Sequence, residues 1–105
     1  MEKERVIRRR EMFTGKKRKK FIADLNLINK KLEEKTPIYM RTNGITIFNK
    51  NVSVLFKMTS QNGVVDDTLK LGDINSVAIK YHEMGTDDFV DWIISSAMQI
   101  GSLNN

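Results

Sequence analysis

Ten cationic side chains crowd the first twenty residues of this chain: Lys3, Arg5, Arg8, Arg9, Arg10, Lys16, Lys17, Arg18, Lys19 and Lys20, against only Glu2, Glu4 and Glu11. Cations at this density neutralise phosphates and release condensed counterions, which gives affinity that is independent of base sequence and steeply dependent on salt. Arginine adds a planar fork suited to bidentate phosphate contacts. The remainder of the chain reverses the sign. Residues 36–105 carry five basic and seven acidic groups, within a total of 18 Lys+Arg and 13 Asp+Glu and a formal charge of +5. A basic arm on a slightly acidic body is the footprint of a segment that binds polyanions. Two other readings of the same charge are docking on an acidic protein and a merely solvated helical face.

Three further constellations deserve weighing. Tyr39, Arg41 and Phe48, with Lys50 and Lys57 nearby, interleave aromatics with cations in a stretch that reads as strand. Small sheets stack single-stranded bases on such surfaces, although aromatic and β-branched residues favour strands in any case. His82 and Glu83, with Asp66, Asp67 and Asp73, are residue types able to hold a divalent ion, but no spacing rule brings them together. Trp92 and Met98 lie on a terminal helix whose apolar arc is wider than one packing face needs, which marks a candidate partner or dimer surface. The chain has no cysteine and one histidine, so thiolate metal sites, cysteine nucleophiles and multi-histidine centres are excluded. It also lacks a glycine-rich phosphate loop, and Ser95-Ser96 has no histidine partner nearby in sequence. The expectation is therefore a protein that is not an enzyme and takes no cofactor and no metal.

The elements that must position these residues follow from periodicity. Residues 2–12 have helical propensity but little to bury. Phe21, Leu25, Ile28 and Leu32 recur at i, i+4, i+7 and i+11, which predicts an amphipathic helix over 16–35, ended by Thr36-Pro37. From Ile38 the period becomes two. Asn43-Gly44 is a strong hairpin signal, so Ile38–Thr42 and Ile45–Phe48 read as paired strands. Val52–Met58, Val64–Leu71 and Ser76–Tyr81 read as three more. Thr86 is the expected N-cap of a final helix, with Gly101 as its C-cap. The predicted fold is α+β: basic N-terminal helices, a five-stranded antiparallel sheet or small barrel, and a C-terminal amphipathic helix packed on the sheet. Its organisation is a basic arm over residues 1–20 and one small domain over 21–105, since 105 residues suit a single core.

The helix, Pro37-Ile38 and the strand ending in Asn43-Gly44 look like the opening of an Sm-like barrel, without that pattern's later glycine and aspartate between Ile45 and Met58. Leu69–Val77 followed by a helix with a central Trp92 looks like the end of a pleckstrin-homology-like domain. Neither likeness transfers a function. The leading expectation is a small accessory or regulatory protein that binds nucleic acid, DNA or RNA, through backbone contacts of its arm. The alternative is a protein-interaction module, of the kind a phage uses to modulate a host protein, docking its arm on an acidic surface. A homodimer is compatible with either. No apolar run is long enough to span a bilayer and the N-terminus lacks an apolar signal core, so the expected setting is the cytoplasm, and the Lys, Asn and Ile content suggests a bacterium or phage.

Overall fold

The computed structural model describes residues 15–61 and 63–104. Arg5, Arg8, Arg9 and Arg10, and the helix expected over 2–12, lie outside them.

The amphipathic segment forms two helices, α1 over residues 15–23 and α2 over Leu25–Lys35. They meet at Asp24, whose backbone (φ −90°, ψ 0°) leaves the helical region for one residue. The ladder is barely interrupted: Asp24 N–H reaches the Lys20 and Phe21 carbonyls, and Ile28 N–H reaches the Asp24 carbonyl at 2.9 Å. The apolar stripe still faces inward, with Phe21, Ile28 and Leu32 fully buried. Thr36 is extended, and the chain leaves the helix there, before Pro37.

Three strands follow: β1 (Met40–Phe48), β2 (Asn51–Ser60) and β3 (Gly63–Asp73), paired antiparallel in the order β1-β2-β3. Two helices close the chain, α3 (Ile74–Met84) and α4 (Thr86–Asn104). The fold is α+β with four helices and a three-stranded sheet, which corrects the expected five-stranded sheet or barrel.

The two missing strands have separate explanations. Asn43-Gly44 is a bulge inside β1, not a hairpin: Thr42 pairs with Phe56 and Ile45 with Val54, so three steps on β1 match two on β2. Gly44 takes φ +92°, and the Asn29 side chain of α2 accepts a hydrogen bond from Ile45 N–H at 2.9 Å. The reversal falls instead at Asn49 and Lys50, both at positive φ (49° and 63°), as a two-residue hairpin turn requires. The expected last strand is α3. Ile74, Val77, Ala78 and Tyr81 are its buried row, at i, i+3, i+4 and i+7. Asp73 caps it, accepting from Ser76 N–H at 3.2 Å and from the Ser76 hydroxyl at 2.6 Å. Gly85, at φ 83°, ends it. The Gly85 carbonyl also takes the first bond of α4, from Phe89 N–H at 3.0 Å, and α4 runs on through Gly101.

All four helices contribute to one core on one face of the sheet. Val52, Val54 and Phe56 of β2 meet Ile28 and Leu32 of α2, the inner row of α3, and Phe89, Val90, Ile93 and Ala97 of α4. Phe21 of α1 enters this core through an aromatic cluster, with ring centroids 5.6 Å from Tyr81 and 5.9 Å from Phe89. On the opposite face, among the described residues, Arg41, Thr46, Phe48, Lys57, Asp66 and Lys70 are exposed.

Candidate nucleic-acid interface

The described cations of the arm are the five of α1, and the helix sorts them by direction. Phe21 marks the buried side. At about 100° per residue, Lys16, Lys19 and Lys20 fall on the far side of the helix, while Lys17 and Arg18 flank Phe21. Lys16, Arg18, Lys19 and Lys20 are exposed and Lys17 is half-buried. The boundary expected after Lys20 thus falls inside α1, which is held to the body by a fully buried phenylalanine.

Lys20 Nζ lies 3.4 Å from Asp24, and Arg18 Nη1 donates to Asn75 Oδ1 at 3.2 Å. Among the described residues, Lys16 and Lys19 make no hydrogen bond or ion pair. The lysines of α2 differ. Lys31 reaches Asp87 of α4 at 2.5 Å, and Lys35 lies 3.4 Å from Asp91 and 3.9 Å from Asp87. The hydrogen bond from Lys31, and then the charges of both lysines, hold the Asp87 carboxyl below its usual range. Lys31 and Lys35 are therefore neutralised across the α2–α4 contact, whereas Lys16 and Lys19 of α1 are exposed.

Beneath α1, Asp24 is the hub of a small polar network. The Tyr81 hydroxyl donates to Asp24 Oδ2 at 2.6 Å and shares a 2.9 Å bond with Thr86 Oγ1. Burial, then the hydrogen bond to the Asp24 carboxylate, pushes the Tyr81 phenol above its ordinary value. Thr86, expected as a helix cap, here serves Tyr81.

The proposed stacking residues share the outer face of the sheet but not one spot. Cross-strand partners point to the same side of a sheet, so the rows Arg41–Lys57–Asp66 and Thr46–Ser53–Lys70 lie on the face away from the helices. Strict alternation would put Arg41 and Phe48, seven residues apart, on opposite faces; the extra residue of the bulge brings them to the same one. Tyr39 (56% exposed) and Phe48 (74% exposed) then stand near opposite ends of β1, about 25–30 Å apart at the usual rise per residue. Phe48 has company that sequence reasoning missed. With Asn51, Val52, Ser53, Thr68, Lys70 and Gly72 it lines a shallow cleft of about 390 Å³. Only the strand register could reveal this, because Phe48 and Lys70 are on β1 and β3.

Trp92 and Met98 do not form one patch. They project roughly 120° apart around α4. Trp92 is half-buried on Phe89, with centroids 5.7 Å apart, and its face is covered by Lys80 Nζ at 4.0 Å. Met98 is 40% exposed on the other flank. His82, Glu83, Asp66, Asp67 and Asp73 do not converge: among the described residues no three histidine or carboxylate side chains group to hold a metal ion. Asp73 is occupied as the cap of α3, where the bonds from Ser76 lower its carboxyl pKa. No helix among the described residues is long and apolar enough to cross a membrane. No family model, curated protein or solved structure matches this chain.

Proposed function

We propose that this protein binds nucleic acid through the cationic ridge of α1 and acts as a non-enzymatic accessory or regulatory factor. The observation that carries this reading is the density of cations on one anchored helix, five in succession over residues 16–20. Lys31 and Lys35 are matched by Asp87 and Asp91, whereas Lys16 and Lys19 face solvent without an acidic partner among the described residues, on a helix anchored by buried Phe21. An anchored helix presents its cations at a fixed spacing along one line, which suits a phosphate backbone and gives affinity by counterion release.

The test is fluorescence anisotropy of labelled single- and double-stranded DNA and RNA with the full chain, at about 50 and about 200 mM salt. Binding should weaken by orders of magnitude across that range. Substituting Lys16→Gln and Lys19→Gln together should lower affinity for every sequence and reduce the slope of log K against log salt by about 1.4–1.8, two phosphate contacts' worth. Deleting residues 1–20 would cut α1 one residue before its anchor, so charge substitutions are the cleaner perturbation. Absence of binding at the lower salt would overturn the reading and redirect the ridge to an acidic protein partner.

A further inference from the structure

The Phe48 cleft lies at the α1 end of the sheet. Asn51, which lines it, pairs with Asp73, the cap of α3. The neighbouring Lys50 carbonyl accepts from Ile74 N–H at 2.7 Å, and Asn75, one residue on, accepts from Arg18 of α1. Three consecutive residues, Asp73 to Asn75, therefore tie the cleft, the β1–β2 turn and the basic helix together.

The cleft's chemistry is specific in kind. Its apolar residues are Phe48, whose ring is 74% exposed and absent from the core, and Val52, which is 1% exposed and belongs to the core. Around the ring stand one cation (Lys70), one amide (Asn51) and two hydroxyls (Ser53, Thr68). Gly72 adds no side chain to the wall, at φ +126°, where other residues are strained. A flat ring with donors and acceptors on its edge and an anion attached matches that set: the ring stacks on Phe48, Asn51 and the hydroxyls meet its edge, and Lys70 meets the phosphate. A duplex cannot offer the face of a base without unstacking it, whereas a single strand can.

We infer that the Phe48 cleft takes an unpaired base of a single-stranded nucleic acid whose phosphates run along α1. This rests on the reading of α1 above and adds that the preferred ligand is single-stranded. Lys50, in the turn next to Phe48 and Asn51, is exposed.

The test uses the full chain, fluorescein-labelled twelve-residue oligothymidylate and oligouridylate, and a mixed-sequence duplex of similar length. Phe48→Ala should weaken single-strand binding by about 5- to 150-fold, leave the salt slope unchanged and leave duplex binding unaltered. Phe48→Trp should retain affinity, and its fluorescence should be quenched on adding the oligonucleotide. Equal single-strand affinity for wild type and Phe48→Ala overturns this inference and leaves the reading of α1 standing. A Phe48→Ala loss shared equally by the duplex also overturns it, because the ring would then not be reading an unpaired base. No binding of any probe at about 50 mM salt overturns both. Phe48 is outside the core, so a folding failure is not the expected route to loss, and an unchanged thermal midpoint for Phe48→Ala checks this.

Discussion

Gly44→Ala should be among the most damaging single-methyl changes in this protein. The position combines two costs that can be separated. First, its φ of +92° lies where an L side chain is strained, at about 1–2 kcal/mol. Second, a β-carbon there would sit 3.1 Å from Asn29 Cγ and Oδ1 and 3.3 Å from Nδ2. Asn29 would have to withdraw, which weakens its 2.9 Å bond to Ile45 N–H, worth about 0.5–1.5 kcal/mol. With some residual crowding the total is about 2–4 kcal/mol. At a urea m-value of about 1.5 kcal/mol/M, the midpoint should fall by roughly 1.3–2.7 M.

A double-mutant cycle with Asn29→Ala divides the sum. Asn29→Ala alone removes the hydrogen bond and opens the space. Gly44→Ala on that background should then cost only the conformational part, about 1–2 kcal/mol, with a coupling near 1 kcal/mol between the two sites. Urea denaturation followed by far-UV circular dichroism measures all four corners. A cost below about 0.5 kcal/mol for Gly44→Ala in both backgrounds would refute the argument, because neither the strained backbone nor the contact with α2 would then hold the bulge. The bulge also puts Arg41 and Phe48 on one face, so this residue pair supports the geometry of the proposed interface from within the fold.

Tyr81→Phe should cost about 1.5–3 kcal/mol, since it removes a 2.6 Å bond to the Asp24 carboxylate while keeping the ring packing. Because the Tyr81 pKa is raised in the folded state, its contribution is intact below the ordinary phenol value of 10.0 and is lost as pH rises through the higher folded value; thermal melts of wild type should therefore decline above pH 10, and those of Tyr81→Phe should decline less. Asp73 behaves oppositely: its pKa is lowered from 3.8, so its contribution is present above that value and lost as pH falls through the folded one. Asp73→Asn should keep the cap and the thermal midpoint at pH 7 but flatten the acid limb between about pH 5 and 2. Lys16→Glu should raise thermal stability and lower affinity for nucleic acid at once; a variant that loses both, or gains both, would contradict the role given to the ridge.

Where pattern and contact coincide, this chain could be read directly. Phe21, Ile28 and Leu32 were legible as a helical stripe, and Val52, Val54 and Phe56 as an alternating strand, because each set faces a single apolar surface. Asn43-Gly44 misled because a hairpin and a bulge ask for the same left-handed glycine; what chooses between them is Asn29, fourteen residues earlier on another element. Residues 76–81 misled because Val77, Ile79 and Tyr81 satisfy a period of two while Ile74, Val77, Ala78 and Tyr81 satisfy one of 3.6. The deciding signal was local and available: Asp73 three residues before Ser76, with Gly85 at the far end, is a capped helix. The cations of α1 were evident from composition. Which lysines are neutralised was not, since Lys31 and Asp87 are 56 residues apart. The Phe48–Lys70 cleft likewise depends on the register of three strands, bulge included.

The ridge carries a cost that the fold has to offset. Lys16 faces Lys19 and Lys20 at i+3 and i+4, two like-charge pairs that each oppose the helix by a few tenths of a kcal/mol. The described part of α1 is nine residues long, too short to persist in water on propensity alone. Its order comes from Phe21: full burial of a phenylalanine contributes about 1.5–3 kcal/mol, and its ring contacts with Tyr81 and Phe89 add about 0.5–1.5 kcal/mol each. That surplus is why the repulsion is tolerated. It also explains the opposite signs expected for Lys16→Glu. A carboxylate at position 16 turns both like-charge pairs into attractive ones and relieves the free protein, while it removes one contact from the ridge and places a negative charge where a phosphate should sit. A cluster kept only as a solvated face would gain stability from that change and lose nothing else, so the coupled loss of binding is what separates the two accounts.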